Sequence, residues 1–197
     1  MARNPELTKQ LIIEKSIPIF NTKGYNTTSI SDITTATGIT KGAIYGNFKN
    51  KDEVASAAFD RAAIIVTQQI GDRIRQAKTA PDKLKAMVDY YEEYIQNPPI
   101  PGGCPLLNSS IEAADNLPFL RSKIIRSIAL IRDSLVKIVN RGIQEGQLKK
   151  GVDAEEFGVS FYATIEGAIS LSRIEGDSRS YKHVKKFLNK RILEISI

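Results

Sequence analysis

The sequence predicts an all-α protein, and three observations predict it. Apolar residues recur at three- and four-residue spacings along almost the whole chain. Helix-starting and helix-ending residues punctuate that pattern. No stretch alternates apolar and polar residues as a half-buried strand would, and no internal repeat is present. The expected architecture is an N-terminal three-helix module bearing a helix-turn-helix, residues 1–49. It is joined to a larger C-terminal helical domain, residues 50–197.

Each element has its own warrant. Leu7, Leu11, Ile13, Ile17 and Phe20 trace one face of a first helix, with Pro5 near its start and Gly24 just past its end. Pro18 should bend or weaken that helix. A second helix runs from about Ser29 to Thr37, capped by Thr28 or Ser29, anchored by Ile30 and Ile33 and stopped by Gly38. The third, in "GITKGAIYGNF", starts after Thr40 as N-cap. It is poorly written for a helix, since Gly42 and Gly46 each cost roughly 1 kcal/mol relative to alanine. Yet Ile44, Tyr45 and Phe48 are spaced to bury one face.

In "NKDE", Asn50 and Glu53 form a capping-box pattern that opens a long helix reaching Ala77, joining the two parts without a flexible linker. "APDK" opens the next helix, which ends near Gln96. Asn97–Pro105 is a proline- and glycine-rich break. Helical patterns return at Leu106–Ala114 and Pro118–Gln144. Asp153 caps a helix bearing Phe157, Phe161, Ile165 and Ile169. The last helix starts near Ser178 and carries Tyr181, Val184, Leu188, Ile192 and Ile195 on one side.

Composition narrows the chemistry. The 197 residues include 28 Lys and Arg against 22 Asp and Glu, a formal net charge of +6 that invites an anionic partner such as nucleic acid. Cys104 is the single cysteine, so no intramolecular disulfide is possible, which fits a reducing compartment. "MARNPELTKQ" lacks the apolar stretch of a signal peptide, and no window has the 18 or so apolar residues of a membrane span. The expectation is a soluble cytoplasmic protein with no membrane partner. There is no glycine-rich phosphate loop after a strand and no metal-ligand spacing, so no cofactor, metal or catalytic residue is expected.

Two short helices around "TGIT" form a helix-turn-helix, whose second helix enters the major groove of double-stranded DNA. Ile44 and Phe48 would hold that helix to its own core. Gly42 would let the backbone come close to the duplex. Thr40 and Lys41 can reach base edges or phosphates: lysine donates to guanine O6 or N7, and threonine contacts a thymine methyl. Thr28 and Ser29 at one helix start and Lys51 at another are candidate phosphate ligands. Tyr45 can offer its hydroxyl to a phosphate while its ring packs.

"FNTKGYNTTSISDITTATGITKGAIYGNFKNKDEV" resembles the DNA-binding signature of the TetR family of bacterial transcriptional regulators. Phe20, Gly24, Tyr25, Thr28, Ile33, Gly38, Tyr45, Phe48 and Lys51 carry the match. The resemblance implies DNA-contact roles for Thr28, Ser29, Thr40, Lys41, Gly42, Tyr45 and Lys51. Gly46 stands where relatives often carry an aromatic or bulky residue. Asn47 stands where they often carry histidine, and takes a DNA-contact role on that ground.

One short helix reads too few bases to be selective, and a dimer reading two half-sites about 34–36 Å apart solves this. The best surface for a homodimer lies in the last two helices. Gly158, Ala163, Gly167 and Ala168 allow close approach, and Phe157, Phe161, Ile165, Val184, Leu188 and Ile192 supply apolar contact. The resemblance implies a four-helix interface between two chains, and a small-molecule effector pocket among the middle helices. The candidate lining is Met87, Tyr90, Tyr91, Tyr94, Cys104, Leu107, Ile111, Phe119 and Ile128, suited to a lipophilic or aromatic ligand. Such a ligand would release a repressor from a palindromic operator.

Three alternatives stand beside this. Cys104, near a helix start, is a candidate electrophile or redox sensor, as in a subset of relatives. Cys104 with His183 is the single thiol–imidazole combination an enzyme could use. A nucleoid-type or membrane-surface binder driven by charge would bind DNA without sequence preference and with steep salt dependence.

Overall fold

A computed structural model of the chain describes residues 5–197, and these form nine α-helices. In order they are α1 (Pro5–Lys23), α2 (Ile30–Thr37), α3 (Lys41–Asn47), α4 (Lys51–Gln76), α5 (Ala80–Gln96), α6 (Pro105–Asp115), α7 (Pro118–Gln144), α8 (Ala154–Glu175) and α9 (Arg179–Ile195). The described residues contain one isolated β-bridge, Leu148 with Ser196, and no strand.

The helix ends fall where local chemistry put them. Ser29 caps α2 through a capping box in which Asp32 N–H donates to its hydroxyl (3.1 Å) and its own N–H donates to the Asp32 carboxylate (2.8 Å). Gly38 ends α2 in the left-handed region at φ +65°, a conformation that costs residues with a Cβ. At the start of α4, Asn50 Oδ1 accepts from Glu53 N–H (2.9 Å), but the Glu53 carboxylate takes the Lys49 N–H (2.8 Å) rather than that of Asn50. Pro18 does not break α1, which runs unbroken from Pro5 to Lys23. Leu7 departs from expectation and is 64% exposed, while Ser16 is buried and donates to the Ile12 carbonyl (2.6 Å).

The chain forms two compact units. The first comprises residues up to Ile65 together with Ile100–Arg126. Its core is Ile12, Ile33, Ile39, Ile44, Phe48 and Val54, with Leu11, Ile19, Phe20 and Ile30 packed around it. Compactness therefore groups α6 with the N-terminal helices, along other lines than a boundary at residue 49. Polar contacts explain the grouping. Asn21 Nδ2 donates to the carbonyls of Pro101 and Gly103, both at 2.8 Å, and Asn108 Nδ2 donates to Asn21 Oδ1 (3.0 Å) and the Gly102 carbonyl (2.8 Å).

The second unit comprises Val66–Pro99 and Ser127–Ile197. Here α5, α8 and α9 pack on one another. Tyr181 is fully buried, and its hydroxyl donates to the Val88 carbonyl (2.8 Å). Burial, with Glu92 and Asp89 nearby, pushes that phenol above its ordinary pKa. Lys185 bridges Asp89 and Glu92, each at 2.6 Å. The C-terminal end is tied back to the turn after α7 by Lys149 N–H to the Ile195 carbonyl (2.8 Å) and Ile197 N–H to the Gln147 carbonyl (3.2 Å).

Candidate nucleic-acid interface

α3 is seven residues long and buries one of them, Ile44. Its C-cap, Phe48, is 4% exposed and completes the anchor. Thr40 caps the helix by accepting the Ala43 N–H at 3.3 Å. Thr40, Lys41, Gly42, Ala43, Tyr45 and Gly46 are all exposed. The Lys41 ammonium lies 5.9 Å from the centre of the Tyr45 ring, so both side chains share the outward face. Asn47 is half-buried and donates to the Ala43 carbonyl (2.8 Å).

The two glycines of α3 are not demanded by the chain's own packing. A Cβ built on Gly42 or Gly46 meets no atom within 4 Å outside the helix's own backbone. Gly142 in α7 shows the opposite case, since a Cβ there would lie 2.5 Å from that of Ala80. A bare helix face with no internal reason to be bare is suited to the close approach of an external partner.

The loop from Gly24 to Thr28, which delivers the start of α2, is held from two other helices. The Glu112 carboxylate of α6 accepts the N–H groups of Tyr25 (2.6 Å) and Asn26 (3.1 Å). Gly24 sits at φ +83°, and a Cβ there would lie 2.9 Å from a Glu112 oxygen. From α4, Asp52 accepts the Tyr25 hydroxyl, and Lys51 donates to the carbonyls of Tyr25 (3.0 Å) and Thr28 (2.9 Å) while lying 4.1 Å from the Tyr25 ring centre. Burial, and then the bond to Asp52, raises the Tyr25 pKa. Phe119 meets the same ring edge-on at 5.7 Å.

These contacts involve two of the expected DNA-contact residues. Thr28 is 1% exposed and its hydroxyl donates to the Gly24 carbonyl (2.6 Å), so its side chain serves the loop rather than a phosphate. Lys51 is half-buried and spends its donors on two carbonyls, so it fastens the loop to α4. Ser29 stays exposed at the start of α2. Glu112, Asn108, Asn21 and Asp52 were missed by sequence reasoning. No local signal marks them, because Glu112 and Asn108 act on residues more than 80 positions away.

Of the expected dimer residues, Phe161, Ile165, Leu188 and Ile192 are at most 2% exposed, Phe157 is 9% exposed and Val184 half-buried, so they contribute to the packing of α8 and α9 within one chain. Gly158 and Ala168 are buried with them. The outward face of α8 carries Val159, Ala163, Gly167, Leu171 and Ile174 instead, and α9 exposes Phe187. An open groove of about 320 Å³ runs between the two helices, bordered by Phe157, Phe161 and Phe187.

The residues expected to line an effector pocket fall in both compact units. Cys104, Leu107, Ile111 and Phe119 belong to the first unit, and Met87, Tyr90, Tyr91, Tyr94 and Ile128 to the second. Ile111 is 74% exposed. Tyr90, Tyr91 and Tyr94 are buried against one another, with ring centres 5.2–5.8 Å apart. Met87 does border a cavity. Cys104 is 2% exposed at the start of α6, and His183 lies exposed on α9.

Two well-capped helices crossing at a glycine turn, the second bare and basic on its outer face, define a helix-turn-helix DNA-binding protein. Comparison with known proteins places it further. Residues 12–58 match the family described as bacterial regulatory proteins, tetR family. Residues 80–188 match the tetracyclin repressor-like C-terminal domain. A TetR transcriptional regulator from Chloroflexus aurantiacus J-10-FL shares 34% identity over 98% of both chains with a TM-score of 0.95. One from Cytophaga hutchinsonii shares 36% identity over 98% of this chain and 96% of its own, with a TM-score of 0.89. The HTH-type transcriptional repressor DhaR of Mycobacterium sp. is 23% identical over 89% of this chain and 86% of its own. The chain belongs to the TetR family and is a DNA-binding transcriptional regulator. No helix among the described residues is long and apolar enough to cross a membrane.

Proposed function

We propose that two copies of this chain bind a palindromic operator in the cytoplasm as a repressor, and that a small molecule releases them. The observation that carries the DNA half is the outer face of α3, where Thr40, Lys41 and Tyr45 surround two glycines with no packing reason to be glycine. Thr40 and Lys41 read base edges, Tyr45 and Ser29 meet phosphates, and Asn47 adds a contact through its remaining amide groups. The reading module is residues 1–49, and residues 50–197 carry effector binding and dimerisation.

The dimer surface is the outward stripe of α8, Val159–Ala163–Gly167–Ile174, with Phe187 of α9. Small residues at the middle of the stripe let a second α8 approach closely, and an isologous pairing of this face matches a two-fold operator. A relative supports the repressor sense: DhaR is a transcriptional repressor. Another similar structure is that of CifR complexed with 26bp double-strand operator DNA, at a TM-score of 0.81 and 15% identity, a likeness of fold.

The release step needs a coupling of only about 1–3 kcal/mol between effector and operator. α4, unbroken from Lys51 to Gln76, is the lever we assign to it: it carries Lys51 and Asp52, which hold the loop before α2. Operator selection from random DNA tests the reading, followed by mobility-shift titration of the chosen site. A regulator prefers that site over random DNA by at least about a thousandfold. Equal affinity for both sequences would replace this reading with the charge-driven binder.

A further inference from the structure

The second unit contains two openings that share walls. One is an apolar cavity of about 110 Å³ bordered by Ile70, Met87, Ile131 and Leu135. It is somewhat smaller than the ~150 Å³ apolar void that accepts a benzene ring. The other is a groove of about 460 Å³. Ile74, Leu130 and Ser134 border both, so the cavity opens into the groove. Leu130, at that junction, is 61% exposed.

The groove is lined by Arg75, Lys83, Lys137 and Arg141 against Asp133 and Glu145, four cations to two carboxylates. Arg141 is paired with Glu145 at 2.6 Å and Arg75 with Asp72. Lys83 attracts Glu145 from longer range. Neither Lys83 nor Lys137 makes a salt bridge among the described residues. An apolar cavity therefore meets a vestibule in which two ammonium groups, Lys83 and Lys137, and one carboxylate, Asp133, make no salt bridge among the described residues.

We propose that this joined cavity and groove bind a small anionic amphiphile, an aliphatic monocarboxylate, with its tail against Met87 and Leu135 and its carboxylate at Lys137 and Lys83. The tail crosses Leu130 and Ile74 on the way and covers the exposed Leu130 side chain. A neutral lipophile of the same length leaves the lysines unanswered, and an alkylammonium meets the positive lining. The inference rests on the effector reading above and names the ligand's chemical class.

Calorimetric titration of the full chain with octanoate, octan-1-ol and octylammonium tests it. Octanoate binds most tightly and octylammonium least. The double substitution Lys83→Gln with Lys137→Gln lowers octanoate affinity by about 3- to 20-fold, the range of two exposed ion pairs, and leaves octanol unchanged. Ser134→Trp, which fills the junction, abolishes both. Equal binding of octanoate and octanol, undiminished octanoate binding in the double variant, or no octanoate heat at all each overturns the proposal. A mobility-shift assay separates the two readings. Lysine-dependent octanoate binding that leaves operator affinity unchanged keeps the site and removes its effector role. An operator complex released by some other ligand, with octanoate unbound, keeps the regulator and removes this site.

Discussion

The helix-turn-helix of the first unit and the helix layer of the second are held by different means. The helix-turn-helix packs on a compact apolar cluster, and the loop before α2 is fastened by polar groups acting at long sequence range: Glu112 on two backbone N–H groups and Lys51 on two carbonyls. The α5, α8 and α9 layer buries broad apolar and aromatic faces, with Tyr181 and Lys185 adding long-range polar contacts. α8 alone buries nine residues and α5 seven, where α3 buries one. The difference follows from what each unit exposes. A helix that presents most of its surface to DNA has few residues left for its own core, so directional bonds must position it. A helix layer that serves dimerisation or ligand binding can be held by area.

The contrast can be broken in several ways, the first with the largest effect. Ile44→Ala should destabilise the first unit by about 2–5 kcal/mol, because it removes the one buried residue within α3. Urea unfolding measures it, and a loss below about 1 kcal/mol would mean α3 is held by something other than that contact. Next, Ile174→Glu with Phe187→Glu should convert the proposed dimer to monomers in sedimentation with helix content intact. Operator affinity should fall by at least about thirtyfold, the loss expected when interface anchors worth 2 kcal/mol or more are removed.

Glu112→Gln sharpens the comparison. An amide offers one oxygen, so one of the Tyr25 and Asn26 N–H groups would face another donor. We expect a stability loss of about 1–2 kcal/mol, and weaker operator binding with the second unit's melting unchanged. An unaltered loop in backbone NMR shifts would show the clamp to be dispensable. Lys41→Ala should cost about 1–3 kcal/mol of operator affinity and relax the sequence preference at one operator position, read by binding to single-base operator variants. Lys51→Ala should act mainly on folding, since its ammonium is engaged by carbonyls.

The smallest effect concerns pH. The bond from Lys23, then those from Ser29, hold the Asp32 carboxyl well below the usual carboxylate range. A depressed folded-state pKa means the unfolded chain binds the extra proton first. The contribution is thus complete above about pH 4 and fades as pH falls toward the depressed value. Acid titration of native and Asp32→Asn chains should converge at the low end of that window. Curves that stay parallel throughout would remove the capping box from the account.

How much was legible varied with sequence distance. Thr40, Gly38, Ser29 and Asp153 announced their helix ends because caps act over two or three residues. α8 was legible as a helix but not in its orientation. Apolar and small residues occupy most of its circumference, so periodicity alone offered Phe157–Phe161–Ile165 as outward when that stripe faces inward. The expected effector residues show the same limit: each is apolar at helical spacing, and only the fold shows which compact unit each one joins.

By itself the sequence determined the helical class, the helix boundaries, the glycine turn and the bare recognition helix. All of these follow from backbone and side-chain preferences that operate within one or two turns. Only the tertiary structure decided that Thr28 and Lys51 face inward to hold a loop and that Glu112 reaches that loop from α6. It also decided which side of α8 stays exposed. Burial and long-range pairing are properties of the packed whole, and a chain read residue by residue cannot show which of its apolar faces another helix has already taken.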